Sequence, residues 1–251
     1  MIEVLNISKS FDGRKVLDDL SVTFDEGKTN LVIGGSGSGK TVFIKCLVGL
    51  YSIDSGKILY DKREMVSLTE DETRTLRQEM GMVFQAGALF DSETVEENVA
   101  FPLTMFSKNS KTEIKDRVDF CLNRVNLPHA HKLYPSQLSG GMKKRVAIAR
   151  AIALNPRYLF CDEPNSGLDP KTSIVIDNLI REITHEFNIT TVINTHDMNS
   201  VLEIGEKIVY LHQGKKWWEG NNKDILNTDN TEINDFVYAS ELFKRIRKAS
   251  L

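Results

Sequence analysis

The run Gly34, Gly35, Ser36, Gly37, Ser38, Gly39, Lys40 and Thr41 constrains this chain more than any other stretch. It follows the apolar Leu31, Val32 and Ile33 and opens into helix-forming residues 42–48, so strand, glycine loop and helix come in the order that a phosphate cradle needs. Glycines let backbone N–H groups converge on phosphate oxygens, and the helix N-terminus adds partial positive charge. In such a loop Lys40 reaches the outer phosphates and the Thr41 hydroxyl ligates Mg²⁺.

A second element lies far downstream, where the apolar Tyr158, Leu159, Phe160 and Cys161 run into Asp162, Glu163 and Pro164. This reads as a buried strand delivering carboxylates to the carboxyl edge of a sheet, where ligands bind in open α/β folds. Asp162 is placed to orient Mg²⁺ or its water, and Glu163, on the other side of the strand's alternation, to polarise an attacking water. Residues 190–194 form another β-rich run ending in Thr195, His196 and Asp197, so His196 is placed to donate to a terminal phosphate, although a lone histidine is more often structural. His129, His131, His185 and His212 read as structural.

Apolar runs at residues 2–7, 16–24, 29–33, 57–60, 81–85, 158–162, 190–195 and 207–212 predict strands. Those beginning at Thr29, Tyr158, Thr190 and Lys207 alternate with helical patterns and predict a largely parallel sheet. The early strands, separated by Asp12-Gly13 and Glu26-Gly27, predict antiparallel hairpins. Residues 94–154 read as consecutive helices broken at Pro102, Pro128 and Pro135. Trp217 and Trp218, after Gln213-Gly214, suit a terminal hairpin strand. From Thr231 onward Ile233, Phe236, Val237, Leu242, Phe243 and Ile246 fall near helical spacing, with Lys244, Arg245, Arg247 and Lys248 at the end. That segment packs on its own chain, grips another protein or lies on a membrane; the pattern leaves all three open.

Composition narrows the class. The chain of 251 residues is 41% hydrophobic and 27% charged, with 32 basic against 35 acidic side chains and a net charge of −3. That balance gives no support to nucleic-acid binding. No apolar stretch approaches the roughly 18 residues of a membrane span, and the start lacks a signal-peptide core. Cys46, Cys121 and Cys161 have neither disulfide nor zinc spacing, which fits a reducing cytoplasm.

Leu138, Ser139, Gly140, Gly141 and Met142 precede a long run of helix formers, offering free N–H groups and a hydroxyl at a helix start. A plain N-cap at Ser139 explains the same residues, with Lys143, Lys144, Arg145 and Arg150 as a solvated face. The motif order resolves this. Residues 34–41, Gln85 after Gly81-Met82-Val83-Phe84, the Leu138 to Gly141 run, residues 158–163, Ser166-Gly167-Leu168-Asp169 and His196 together resemble the motif set of ATP-binding-cassette (ABC) ATPases.

The resemblance implies an α/β fold: a P-loop NTPase (RecA-like) core with an antiparallel β subdomain and a helical insertion. Residues 1–220 would form the ABC ATPase domain, with the insertion at about 94–154, and residues 221–251 a C-terminal helical extension. It further implies ATP and Mg²⁺ as cofactors and a head-to-tail dimer, each ATP lying between one copy's residues 34–41 and the other's Ser139, Gly140 and Gly141. Phe11 would stack on adenine, Gln85 would join Thr41 and Asp162 at Mg²⁺, Glu163 and His196 would carry hydrolysis, and Asp169 would sit between subunits. An integral permease would place the chain on the cytoplasmic face of the membrane. Met142 and the segment from Gly87 to Leu103 are similar to the ATPase subunit of Mla-type phospholipid transporters, which implies a lipid-binding substrate protein as a further partner. The alternatives are a soluble ABC ATPase without a permease and the ATPase of a small-solute transporter.

Overall fold

The computed structural model describes residues 1–238. Strand β1 (Ile2–Phe11) turns back into β2 (Arg14–Phe24) through Asp12 and Gly13, whose φ values of 49° and 77° give the tight turn that matches strand twist. β1 also pairs antiparallel with β4 (Ser55–Tyr60), which pairs with the short β5 (Arg63–Glu64), giving a sheet ordered β2-β1-β4-β5. The second sheet contains β3 (Thr29–Ile33), β6 (Met80–Val83), β7 (Tyr158–Asp162), β8 (Thr190–Asn194), β9 (Lys207–His212) and β10 (Lys215–Gly220) in the order β10-β9-β3-β8-β7-β6. Its pairings are parallel except the β9-β10 hairpin, which carries Trp217 and Trp218.

Two expectations are corrected here. The Glu26-Gly27 connection is not a hairpin turn, because β3 leaves the antiparallel sheet and becomes a central strand of the parallel one. All five β3 residues are buried, and only a strand covered on both faces accommodates such a run. Pro102 does not break the helix; it lies inside α3 (Val95–Phe106), where its ring nitrogen has no hydrogen to give the carbonyl four residues earlier. Tertiary packing outweighs that local loss, since Val95, Val99 and Leu103 are buried on the same face.

The remaining helices are α1 (Lys40–Leu47), α2 (Glu70–Gln78), α4 (Lys111–Arg124), α5 (Gly140–Ala151), α6 (Pro170–Glu186), α7 (Met198–Ile204) and α8 (Thr231–Val237). α2, α3 and α4 each start with a reciprocal cap, Thr69 with Glu72, Thr94 with Glu97 and Ser110 with Glu113. Residues 94–154 contain α3, α4 and α5 and no strand.

The parallel sheet divides the core. Val32, Phe160 and Val192 face α1 and the antiparallel sheet, while Leu31, Ile33, Leu159, Cys161 and Ile193 face the helices of residues 95–183. This alternation leaves the carboxyl ends of β3, β7 and β8 side by side at one edge. α8 packs on its own chain through buried Ile233 and Val237, with Phe236 against Tyr210 at 5.4 Å. Leu242, Phe243, Lys244, Arg245, Ile246, Arg247 and Lys248 lie outside the described residues. Among the described residues no helix is long and apolar enough to cross a membrane.

Candidate nucleotide site

The glycine loop joins β3 to α1 at that carboxyl edge. Gly39 caps α1 with a left-handed φ of 102°, and a Cβ there would stand 2.9 Å from the Val16 carbonyl, so only glycine fits. The Lys40 ammonium, nine-tenths buried, donates to the carbonyls of Gly34 at 2.8 Å and Gly35 at 3.2 Å. Burial holds its pKa below the ordinary lysine value, opposed by the charges of Glu163 and Asp162. Such a cation, together with the free N–H groups of α1, suits a polyanion.

Asp162 ends β7 directly beside this loop. Its Oδ1 accepts from Asn194 Nδ2 at 2.5 Å and lies 3.5 Å from Thr41 Oγ1. Oxygen donors of this kind fit Mg²⁺, which takes one or two protein ligands plus phosphate and water. No three-member cluster of His, Cys, Asp or Glu that could hold a metal occurs among the described residues. Ser38 Oγ, Asn165 Oδ1 and Asn194 Oδ1 are buried with no partner among the described residues, and all three lie in or beneath this cleft. Three such orphans at one place call for a polar ligand.

Glu163 follows with a left-handed φ of 49°, a strained conformation for a residue with a Cβ. Several contacts hold it there. Its N–H donates to the Asn194 carbonyl at 2.9 Å, its carbonyl accepts from Ser166 N–H at 3.1 Å, and Lys144 Nζ lies 3.5 Å from that carbonyl. Its Oε1 meets His196 Nδ1 at 2.8 Å. The carboxylate is largely sheltered, while the imidazole is mostly exposed.

Lys144 departs from the solvated face that the plain N-cap alternative gives α5. It is buried, donates to the Gln85 carbonyl, and has its pKa lowered by desolvation. Arg150 likewise donates to the Gly87 and Ala88 carbonyls at 2.9 and 2.8 Å, and Arg145 reaches the Val125 carbonyl at 3.4 Å. These basic side chains fasten the loop after β6 and the end of α4 to α5. Gln85 itself reaches Ser166 Oγ at 3.2 Å.

A cleft of about 1040 Å³ gathers residues 34–42 with Gln85, Glu163, His196 and, from α8, Phe236 and Val237. Ser139, Gly140 and Gly141 are not among its walls. Ser139 caps α5 by accepting from Met142 N–H at 3.3 Å, Ser139 and Gly140 are exposed, and both glycines pack beside Leu168 and Thr172. Phe11 is also outside the cleft, its exposed ring edge-on to Tyr51 at 5.3 Å on the β1-β2 hairpin. Asp169 caps α6, accepting from Thr172 N–H at 3.1 Å.

Sequence reasoning missed Asn194, Lys144 and a buried cluster in which Asn165 and Ser200 both donate to Asp177 at 2.7 Å. Desolvation raises the Asp177 carboxyl to about 6. That cluster ties the loop after β7 to α6 and α7. His131 pairs with Asp119, His185 with Glu206, and His212 stacks on Tyr210, all away from the cleft.

Residues 17–166 match the family model described as ABC transporter. The methionine import ATP-binding protein MetN of Clostridium tetani is 39% identical over 242 residues, 96% of this chain and 76% of that protein. MetN of Clostridioides difficile is 39% identical over 225 residues, 90% of this chain and 70% of that protein. Among solved structures, the dimeric ATP-binding cassette MJ0796 bound to ADP and Pi superposes with a TM-score of 0.80 at 33% identity, covering 88% of this chain and 99% of that one. CbiO1 of Clostridium perfringens, described as part of the ABC transporter complex cbiONQ, superposes at 0.85 and 29% identity over 99% and 98% of the two chains.

The finer resemblance to Mla-type phospholipid transporter ATPases is corrected by these relatives, which are named as methionine importers. Met142, one of its two supports, is half-buried against the core and so reports how α5 packs rather than what is carried. The nucleotide-site fold, the family match and the relatives together establish that the chain belongs to the ABC transporter family, as an ATP-binding subunit with ATPase activity.

Proposed function

We propose that this ATPase energises import of a small solute through a membrane permease, working as a nucleotide-gated dimer. The observation that carries the catalytic part is the Glu163–His196 pair, 2.8 Å apart over the cleft that the glycine loop borders. Lys40 and the loop N–H groups bind the outer phosphates of ATP. Thr41, at the cleft wall with Gln85, and Asp162 beside it would hold Mg²⁺, which would supply charge neutralisation on the phosphates. Glu163, oriented by His196, takes a proton from water as that water's oxygen bonds to the γ-phosphorus and the bridging oxygen leaves with ADP.

A second copy completes the site. Ser139 and Gly140 are exposed, Gly141 is half-buried, and all three stand off the cleft of their own chain, which suits donation to the nucleotide of a partner copy, as does the dimeric state named for MJ0796. Phe11, exposed at the hairpin, would meet the adenine ring. Asp169 would lie at the same subunit boundary.

Permease docking is supported by an apolar groove of about 370 Å³ lined by Met82 of β6, Phe84 just after it, and Phe90, Phe101 and Phe106 beyond Gln85. The transport-complex membership named for CbiO1 and the import role named for the MetN relatives support a permease and a small-solute cargo of the methionine kind. The test is purification with co-isolated membrane partners, reconstitution in vesicles, and measurement of ATP-dependent methionine and amino-acid uptake. Stimulated uptake supports the reading. Movement of phospholipid instead would replace the cargo class, and recovery with soluble partners alone would remove transport altogether.

A further inference from the structure

Asn194 stands at the carboxyl end of β8, paired in register with Asp162 of β7 and Val32 of β3. It is fully buried in a central strand where Val192 and Ile193 precede it. A β-branched side chain would suit that position better, and an amide there costs free energy unless both of its ends are hydrogen-bonded. Nδ2 donates to Asp162 Oδ1 at 2.5 Å and to Thr41 Oγ1 at 3.4 Å. Oδ1 has no partner among the described residues. One side chain outside both the glycine loop and the acidic strand end thus ties together the two oxygen groups best suited to a hard cation.

We propose that Asn194 is a positioning residue of the divalent-cation site, orienting the Asp162 carboxylate and the Thr41 hydroxyl and accepting a hydrogen bond from cation-bound water. The inference rests on the reading of Thr41 and Asp162 as Mg²⁺ ligands. By engaging Oδ1 of Asp162, the amide leaves Oδ2 to the cation and its water. The orphaned Oδ1 of Asn194 gains the donor that burial otherwise denies it.

The test measures affinity of the full chain for a non-hydrolysable ATP analogue, with Mg²⁺ and with the cation chelated, in wild type, Asn194→Val and Asn194→Ser. Val suits a buried strand, and Ser keeps a polar atom too short to reach both oxygens, so one variant serves if the other does not fold. Both variants should lose about tenfold of the affinity gained from Mg²⁺, the scale of one hydrogen bond to a charged group, while affinity without the cation stays within about twofold of wild type. A Mg²⁺ gain equal to wild type in a folded variant overturns the proposal, and so does an equal loss with and without the cation. Failure of wild type to bind the analogue at all would overturn the nucleotide-site reading beneath it.

Discussion

Replacing Asp177 by Asn should stabilise the protein at neutral pH. The carboxyl is almost wholly buried, and desolvation, reinforced by the charges of Asp197 and Glu203, raises it from an ordinary 3.8 to about 6 against the opposing hydrogen bonds of Ser200 and Asn165. An acid raised in the folded state stabilises that state while it stays protonated. The stabilisation is complete below the unfolded value, falls as pH rises from about 4 to about 6, and is gone above that. A displacement of about two units at 1.36 kcal/mol each amounts to about 3 kcal/mol lost by pH 7. Asn removes the titration but accepts more weakly from Ser200 and Asn165, a loss of about 1–2 kcal/mol. The orphaned Asn165 Oδ1 offers an acceptor for the new amide if the Asn165 amide turns over. The net gain is about 1–2 kcal/mol, or about 2–8 °C in melting midpoint for a chain of this size. The assay is thermal unfolding of wild type and Asp177→Asn from pH 4 to 8. Taking the difference at each pH cancels the other titrating groups, so the gap should open between pH 4 and 6 and stay level above. A variant that is less stable by the same amount at every pH would refute the reasoning.

Glu163→Gln should retain ATP, lower hydrolysis by about 10²–10⁴-fold and accumulate an ATP-dependent dimer, read by size-exclusion chromatography and phosphate release. Turnover at the wild-type rate would remove Glu163 from its role. Lys40→Ala removes the ammonium at the loop and should abolish nucleotide binding by calorimetry. Lys144→Met removes the cation behind Glu163 and should lower kcat about tenfold with KM for ATP within about twofold, Lys144→Arg restoring part of it. An unchanged kcat with a raised KM would instead place Lys144 in binding.

Much of the site was legible because its signals are local. A glycine run between an apolar triplet and a helix former can do little except turn a strand into a helix, and Gly39 at φ 102° shows why the residue type is required. Residues 158–161 are apolar without alternation, the mark of a strand buried on both faces, and the acids that follow fall at the sheet edge. The helix starts at Thr69, Thr94 and Ser110 are equally readable from the acid three positions on.

What the sequence by itself determined, then, is the phosphate loop, the strand-borne carboxylates, the Ser139 helix start and the order of motifs along the chain. Tertiary structure alone decided that β3 leaves its neighbour β2 for the other sheet, that Pro102 stays within α3, and that the Ser139 helix start lies off its own chain's cleft. It alone set Asn194 against Asp162, 32 positions away, and Glu163 against His196, 33 positions away. The same holds for Lys144, whose position on α5 looks like solvent-facing charge until the loop after β6 and the end of β7 close over it. Local patterns record backbone geometry and periodicity, which act over a few residues. Strand register and helix docking are settled by burial across the whole core, and no short window of sequence contains that information.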